Sequence, residues 1–203
     1  MIRLIVTGTD TGIGKTIMSA AIAAATDTPY WKPIQSGLAD GEDADAVAAL
    51  GVRQIHPSAY RLTAPLSPHR AAECDGITID PDAIVPPEGP LVAEGAGGVL
   101  VPVTRDLLFA DLFARWNMPV VLAARTSLGT INHSLLSIEA LRARGVPIRG
   151  IAFIGDANAD NEATIAAIGK VRRLGRLPWL DPLDAASLGQ AFADGFRIED
   201  FMQ

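Results

Sequence analysis

Short apolar runs recur along this chain, separated by stretches with helical spacing. Ile2-Arg3-Leu4-Ile5-Val6-Thr7 predicts a first strand, and Ile17 to Ala25, rich in alanine, predicts the helix after it. Tyr30-Trp31-Lys32-Pro33-Ile34 predicts a strand ending in a loop, and Asp43 to Leu50 a short helix begun by acidic residues. Leu91-Val92-Ala93 predicts a buried strand, Leu107 to Trp116 a helix, and Pro119 to Ala124 the next strand. Asn132 to Arg144 has the period of an amphipathic helix and is closed by Gly145 and Pro147. Ile148 to Ile154 predicts a further strand and Glu162 to Val171 a further helix. Strands that are apolar throughout and alternate with helices predict an α/β fold, a mostly parallel sheet with helices on both faces. At 203 residues the chain is long enough to bury roughly 70% of its unfolded surface, and we expect a single domain over 1–203.

The stretch from Gly51 to Gly89 breaks this pattern. It carries Pro57, Pro65, Pro68, Pro81, Pro86 and Pro87, with Pro90 just beyond, and its periodicity is weak. It reads as an excursion over the carboxyl ends of the strands, where open α/β sheets bind their ligands.

Composition narrows the range of partners. Hydrophobic residues make up 49% of the chain and charged residues 20%, yet no apolar run reaches the ~18 to 20 residues needed to cross a bilayer. The start leads straight into the first strand, without the pattern of a signal peptide, so a cytoplasmic protein is expected. A net charge of −6, from 17 basic and 23 acidic residues, argues against nucleic acid as a partner. The basic run Lys170-Val171-Arg172-Arg173, with Arg176, reads as a solvated helix end. The single cysteine, Cys74, can form neither an internal disulfide nor a zinc cluster alone, and reads as inert.

The chemistry begins between the first strand and its helix, where residues 8 to 16 read GTDTGIGKT. A strand, a glycine-rich loop and a helix in this order form a phosphate cradle. Backbone N–H groups and the helix N-terminus face an anion, Lys15 reaches the terminal phosphates, and Thr16 supplies a hydroxyl for Mg²⁺. The strict P-loop pattern places a glycine where this chain has Thr9; here the glycine stands one place earlier, at Gly8, so the loop is a variant. A nucleoside triphosphate is the expected ligand.

Phosphoryl transfer needs positioned positive charge and oxygen ligands for a divalent cation. Glu94 follows the apolar Leu91-Val92-Ala93 and precedes Gly95-Ala96-Gly97-Gly98, a setting in which a carboxylate can approach metal and phosphates. Asp43 and Asp45 open a helix, and either is a candidate second metal ligand, although acidic residues there also complement the helix dipole. Lys32, in Lys32-Pro33-Ile34-Gln35-Ser36-Gly37, is a candidate for the missing positive charge or a surface lysine. Asn132, in Leu128-Gly129-Thr130-Ile131-Asn132-His133, is a helix cap or a ligand contact.

GTDTGIGKT, KPIQSG, EGAGG, LGTINH and LPWL, in this order and spacing, resemble the dethiobiotin synthetase family, ATP-dependent carboxylases of the biotin pathway. The resemblance runs from Ile2 to about Leu180. It implies a homodimer that binds 7,8-diaminononanoate, CO₂ or bicarbonate, and MgATP or another nucleoside triphosphate. One amine captures CO₂ as a carbamate, the carbamate attacks the γ-phosphate, and the second amine closes the ring. It further implies that Thr16, Asp45 and Glu94 hold Mg²⁺ and that Lys15 and Lys32 neutralise the carbamate and the migrating phosphoryl group. Thr11 and Ser36 would hydrogen-bond the carbamate. Gly8, Thr9, Asp10, Thr11, Gly12, Ile13, Gly14 and Lys15 would wrap the phosphates, with Thr16 and Ile17 following. Gly129 and Asn132 would face the carboxylate end of the diamine, against the partner subunit. Family members often carry glutamate where this chain has Gly12. Their base-reading asparagine is replaced by Gly155, which leaves the base end to backbone groups near Leu177, Pro178, Trp179 and Leu180 or to polar neighbours such as Asp156 and Asn158, and predicts weak selection among nucleobases.

Two rival readings remain within this fold. A partitioning or regulatory P-loop ATPase would carry a signature lysine early in the loop, where this chain has Thr9-Asp10-Thr11. A cobyrinate-type amide synthase normally adds a glutaminase domain, for which 203 residues leave no room.

Overall fold

The computed structural model describes residues 1–202 apart from the side chain of Asp40. β1 (Arg3–Gly8) leads through the glycine loop into α1 (Lys15–Thr26). β2 (Tyr30–Trp31), β3 (Ile34–Ser36) and α2 (Asp43–Ala49) follow, then β4 (Ile55–His56), β5 (Tyr60–Leu62) and α3 (Pro68–Asp75). The second half alternates regularly: β6 (Leu91–Gly98), α4 (Phe109–Trp116), β7 (Val120–Arg125), α5 (Thr130–Arg142), β8 (Ile148–Ile154), α6 (Ala159–Gly169), β9 (Arg173–Leu177) and α7 (Ala185–Gly195).

Seven strands form one sheet in the order β4-β2-β6-β1-β7-β8-β9, and each pairing in it is parallel. β3 and β5 pair separately as a parallel ribbon. The apolar strands have no polar face because both faces are buried. Along β1, Ile5 points into a core shared with α3, α4 and α5, whereas Leu4 and Val6 point into a second core under α1 and α7. A strand period of two thus feeds two cores from one run of apolar residues.

Parallel pairing gathers the carboxyl ends of all strands on one edge. The register sets Val6 opposite Glu94 and Gly8 opposite Gly98, so the glycine loop and the carboxyl end of β6 from Glu94 on rise side by side. The loop is tied to the sheet by the Thr9 N–H, which donates to the Ala123 carbonyl at 3.1 Å.

Three expectations are corrected here. The strand expected over Tyr30 to Ile34 is split at Lys32-Pro33, and its second half leaves the main sheet to pair with β5. The excursion over 51–89 is not irregular throughout, since it holds β4, β5 and α3. Of the basic run at 170–176 only Lys170 is a helix end, as the C-cap of α6: Arg173 and Arg176 lie on β9, where both face the buried carboxylate of Glu162, Arg173 Nε at 2.6 Å and Arg176 Nε at 3.7 Å. No helix among the described residues is long and apolar enough to cross a membrane.

Candidate active site

The loop before α1 turns through Gly14, whose φ of 92° lies in the left-handed region that a side chain disfavours. That conformation points the first free N–H groups of α1 and the side chains of Lys15 and Thr16 into a cavity of about 890 Å³, within the ~300 to 1,000 Å³ typical of small-molecule sites. Thr11, Gly12, Gly14, Lys15, Thr16 and Ile17 line it from the loop; Lys32, Ser36, Asp43 and Glu94 line it from the neighbouring strands and α2.

At its floor three oxygens converge. Thr16 Oγ1 lies 2.9 Å from Asp43 Oδ1 and 2.9 Å from Glu94 Oε1. A hydroxyl has one proton, so it donates to only one of these carboxylates and leaves a lone pair facing the other. One hydroxyl and two carboxylates are the hard oxygen donors that Mg²⁺ prefers. The residues fit that cation.

Lys32 neutralises this pair. Its ammonium donates to Asp43 Oδ2 and, at 3.2 Å, to Glu94 Oε1. Burial pulls its pKa down, but Glu94 and Asp43 outweigh burial and the pKa stands above the usual value. Asp43 mirrors this: burial raises it, yet Lys32 and the hydrogen bonds from Lys32, Thr16 and Gln35 bring it below the usual carboxylate range. Lys15 differs. Its Nζ donates to the Asp10 carbonyl at 2.8 Å, and burial, only partly offset by Glu94, pulls its pKa down to about 8.

The two acidic candidates of α2 separate here. Asp43, at the first helical position, reaches Thr16 and Lys32, whereas Asp45 is exposed and does not line the cavity. Two residues along a helix is about 200° of rotation. The structure therefore replaces Asp45 by Asp43 in the oxygen cluster. Gln35 fixes that choice, its Oε1 accepting from the Asp43 N–H at 3.2 Å. Sequence reasoning gave Gln35 no role, and none to Tyr30, whose buried phenol donates to Glu94 Oε2 at 3.0 Å. The alternation of side chains along β2 was the signal for Tyr30: it turns residues 30 and 32 to one face.

Other expected residues are distributed as follows. Thr11 is an exposed part of the rim, and Ser36 Oγ is buried without a hydrogen-bond partner. Gly8 and Ile13 are covered by the loop itself, where a Cβ on Gly8 would meet Ile13 at 2.6 Å. Thr9, Asp10 and Gly129 line a separate small cavity with Arg125, and Arg125 donates to Asp10 at 2.6 Å. Asn132 is exposed on the first turn of α5 and lines neither cavity. Gly12 opens freely to space.

Gly155 requires a correction. It does not line the cavity, and a side chain there would first strike Thr126 Oγ1 at 2.7 Å. Its neighbour Ile154 faces the cavity, with Leu177, Pro178, Trp179, Leu180 and Leu183 making an apolar end wall. Weak base selection is thus expected from this wall, not from a side chain lost at 155.

A family model described as an AAA domain matches residues 3–187. A protein of Novosphingobium aromaticivorans named ATP-dependent dethiobiotin synthetase BioD is 64% identical over 205 residues, covering 99% of this chain and 100% of its own. One of the same name from Sphingopyxis alaskensis is 61% identical over 201 residues, with the same coverage. Among solved structures, the cell division ATPase MinD of Pyrococcus furiosus superimposes with a TM-score of 0.55 over 98% of both chains at 12% identity. That likeness shows a shared fold alone.

Proposed function

The chain belongs to the ATP-dependent dethiobiotin synthetase family and is an ATP-dependent ligase that forms dethiobiotin, and from that premise we propose how its cavity carries the reaction. The substrates are 7,8-diaminononanoate, CO₂ and a nucleoside triphosphate. One amine of the diamine adds to CO₂ and loses a proton, giving a carbamate. A carbamate oxygen attacks the γ-phosphorus and the bond to ADP breaks, giving a carbamic–phosphoric anhydride. The second amine attacks the activated carbonyl carbon, expels inorganic phosphate and closes the cyclic urea.

This chain's residues are read in matching roles. The free N–H groups at the start of α1 and Lys15 bind the phosphates, and Lys32 stands where two anions, carbamate and γ-phosphoryl, must be brought together against their repulsion. Thr11 on the rim and the unpartnered Ser36 hydroxyl hold the carbamate. Thr16, Asp43 and Glu94 hold Mg²⁺, which neutralises charge on the phosphate oxygens when bound. The apolar wall of Ile154 and Leu177 to Leu180 takes the base without reading it. Gly129 and Asn132, outside the cavity of their own chain, serve the far end of the diamine in a homodimer. The whole of 1–203 acts as one domain, in the cytoplasm.

The observation that carries this reading is the convergence of buried Lys32 and Glu94 with half-buried Asp43 and Thr16 at the floor of a cavity of about 890 Å³. Incubation with diamine, bicarbonate, Mg²⁺ and each nucleoside triphosphate in turn, followed by mass spectrometry, tests it. The cyclic urea should form, phosphate release should depend on the diamine, and ATP, CTP and GTP should agree within about two orders of magnitude in kcat/KM. Rapid hydrolysis without diamine would point instead to a regulatory ATPase.

A further inference from the structure

β2 and β6 are neighbours in register, with Tyr30 opposite Val92 and Trp31 opposite Ala93. Side chains alternate along a strand, so Tyr30, Val92 and Glu94 share one face of the sheet, while Trp31 turns to the other and packs on Trp116. Tyr30 is fully buried, as is the side chain of Glu94. The two oxygens of Glu94 have different partners. Oε1 faces Thr16 Oγ1 at 2.9 Å and Lys32 Nζ at 3.2 Å, and Oε2 accepts from Tyr30 Oη at 3.0 Å.

The terminal torsion of a glutamate is soft, with no staggered well to hold the carboxylate plane. Within the cluster, only the phenol can set that plane from behind, because Thr16 and Lys32 both contact the front oxygen. We propose that Tyr30 is a positioning residue of the phosphoryl-transfer site: its buried hydroxyl fixes the Glu94 carboxylate so that Oε1 is presented to Thr16 and to the divalent cation. The proposal rests on the reading of Glu94 as a cation ligand. Groups that orient a metal ligand from behind carry a share of the metal affinity, and their loss typically costs 10- to 100-fold.

A tyrosine that only filled space would leave cation binding alone when its oxygen is removed. Tyr30→Phe keeps the ring and deletes that oxygen. With the full-length protein and Mn²⁺ alone as the probe, free ion counted by electron paramagnetic resonance, the dissociation constant should rise roughly tenfold. The KM for diamine should stay within twofold, and saturating Mg²⁺ should restore most of the turnover. A Mn²⁺ constant within twofold of the parent overturns the proposal.

Glu94→Gln, alone and combined with Tyr30→Phe, completes the comparison, and in the double variant no buried carboxylate is left short of a donor. If Tyr30 acts through Glu94, the two variants bind Mn²⁺ equally, and a further loss in the double variant overturns the proposal even if the single Tyr30 variant does not fold. If Glu94→Gln binds Mn²⁺ like the parent while the fold is intact, the assignment of Glu94 as a ligand fails, and the proposal with it. If Glu94→Gln weakens binding and Tyr30→Phe does not, Tyr30 alone is wrongly assigned.

Discussion

Lys32 and Thr16 take different oxygens of Asp43 and share Oε1 of Glu94, and this arrangement predicts how individual substitutions behave. Lys32→Gln removes a preorganised positive charge from the place where two anions meet, so kcat should fall roughly 10² to 10³-fold with little change in the KM for ATP. Steady-state kinetics check this, and near-parental turnover rejects the role. Asp43→Asn should raise the Mg²⁺ concentration needed for half-maximal activity several-fold, while Asp45→Asn, on the exposed side of α2, should leave that Mg²⁺ titration unchanged. The sequence showed two aspartates near one helix start. Contacts distant in sequence, those of Asp43 with Thr16, Lys32 and Gln35, tell which one faces inward. Lys15 adds a pH dependence. Phosphates attract its protonated form, and in the free protein that proton is held only up to about pH 8. Nucleotide affinity should therefore be full below pH 8 and fall above it, approaching tenfold per pH unit. Calorimetric titrations between about pH 7.5 and 9.5 should show this slope in the parent and not in Lys15→Met.

Among the elements, those with a dense apolar pattern were the legible ones. The strand expected over Ile148 to Ile154 forms with those bounds, and the expected helices over 107–116 and 132–144 form within a few residues of them. The failures share a cause. β9 reads Arg173-Leu174-Gly175-Arg176-Leu177, without a period of two, and its arginines take strand positions over the buried Glu162 of α6 while Arg173 stays exposed. Proline-rich 51–89 hides a strand whose partner, β3, has itself left the main sheet after Lys32-Pro33. α7, interrupted by Gly189, gains its order from the aromatic cluster of Phe192, Phe196 and Phe201. None of the three lines the cavity, so the energetic role of the cluster is separable. Phe201→Ala should cost about 3 to 5 kcal/mol in a denaturant titration, with kcat retained at temperatures where the protein stays folded.

For the whole molecule, the proposed homodimer needs a face. Leu128, fully exposed on the loop into α5, and Leu136, half exposed on α5, offer apolar surface beside Gly129 and Asn132. Leu128→Glu should weaken self-association in sedimentation equilibrium and lower activity most at low protein concentration; a dimer of parental strength would place the interface elsewhere. The strand order bears on the same question from another direction. One edge of the main sheet is β4, only two residues long, and the other is β9, which carries Arg173 and Arg176. Short or charged edges make poor templates for a further strand. A second copy thus finds no ladder to extend at either end of the sheet, which turns association toward helical surfaces and guards a crowded solution of this protein against strand-by-strand growth into fibres.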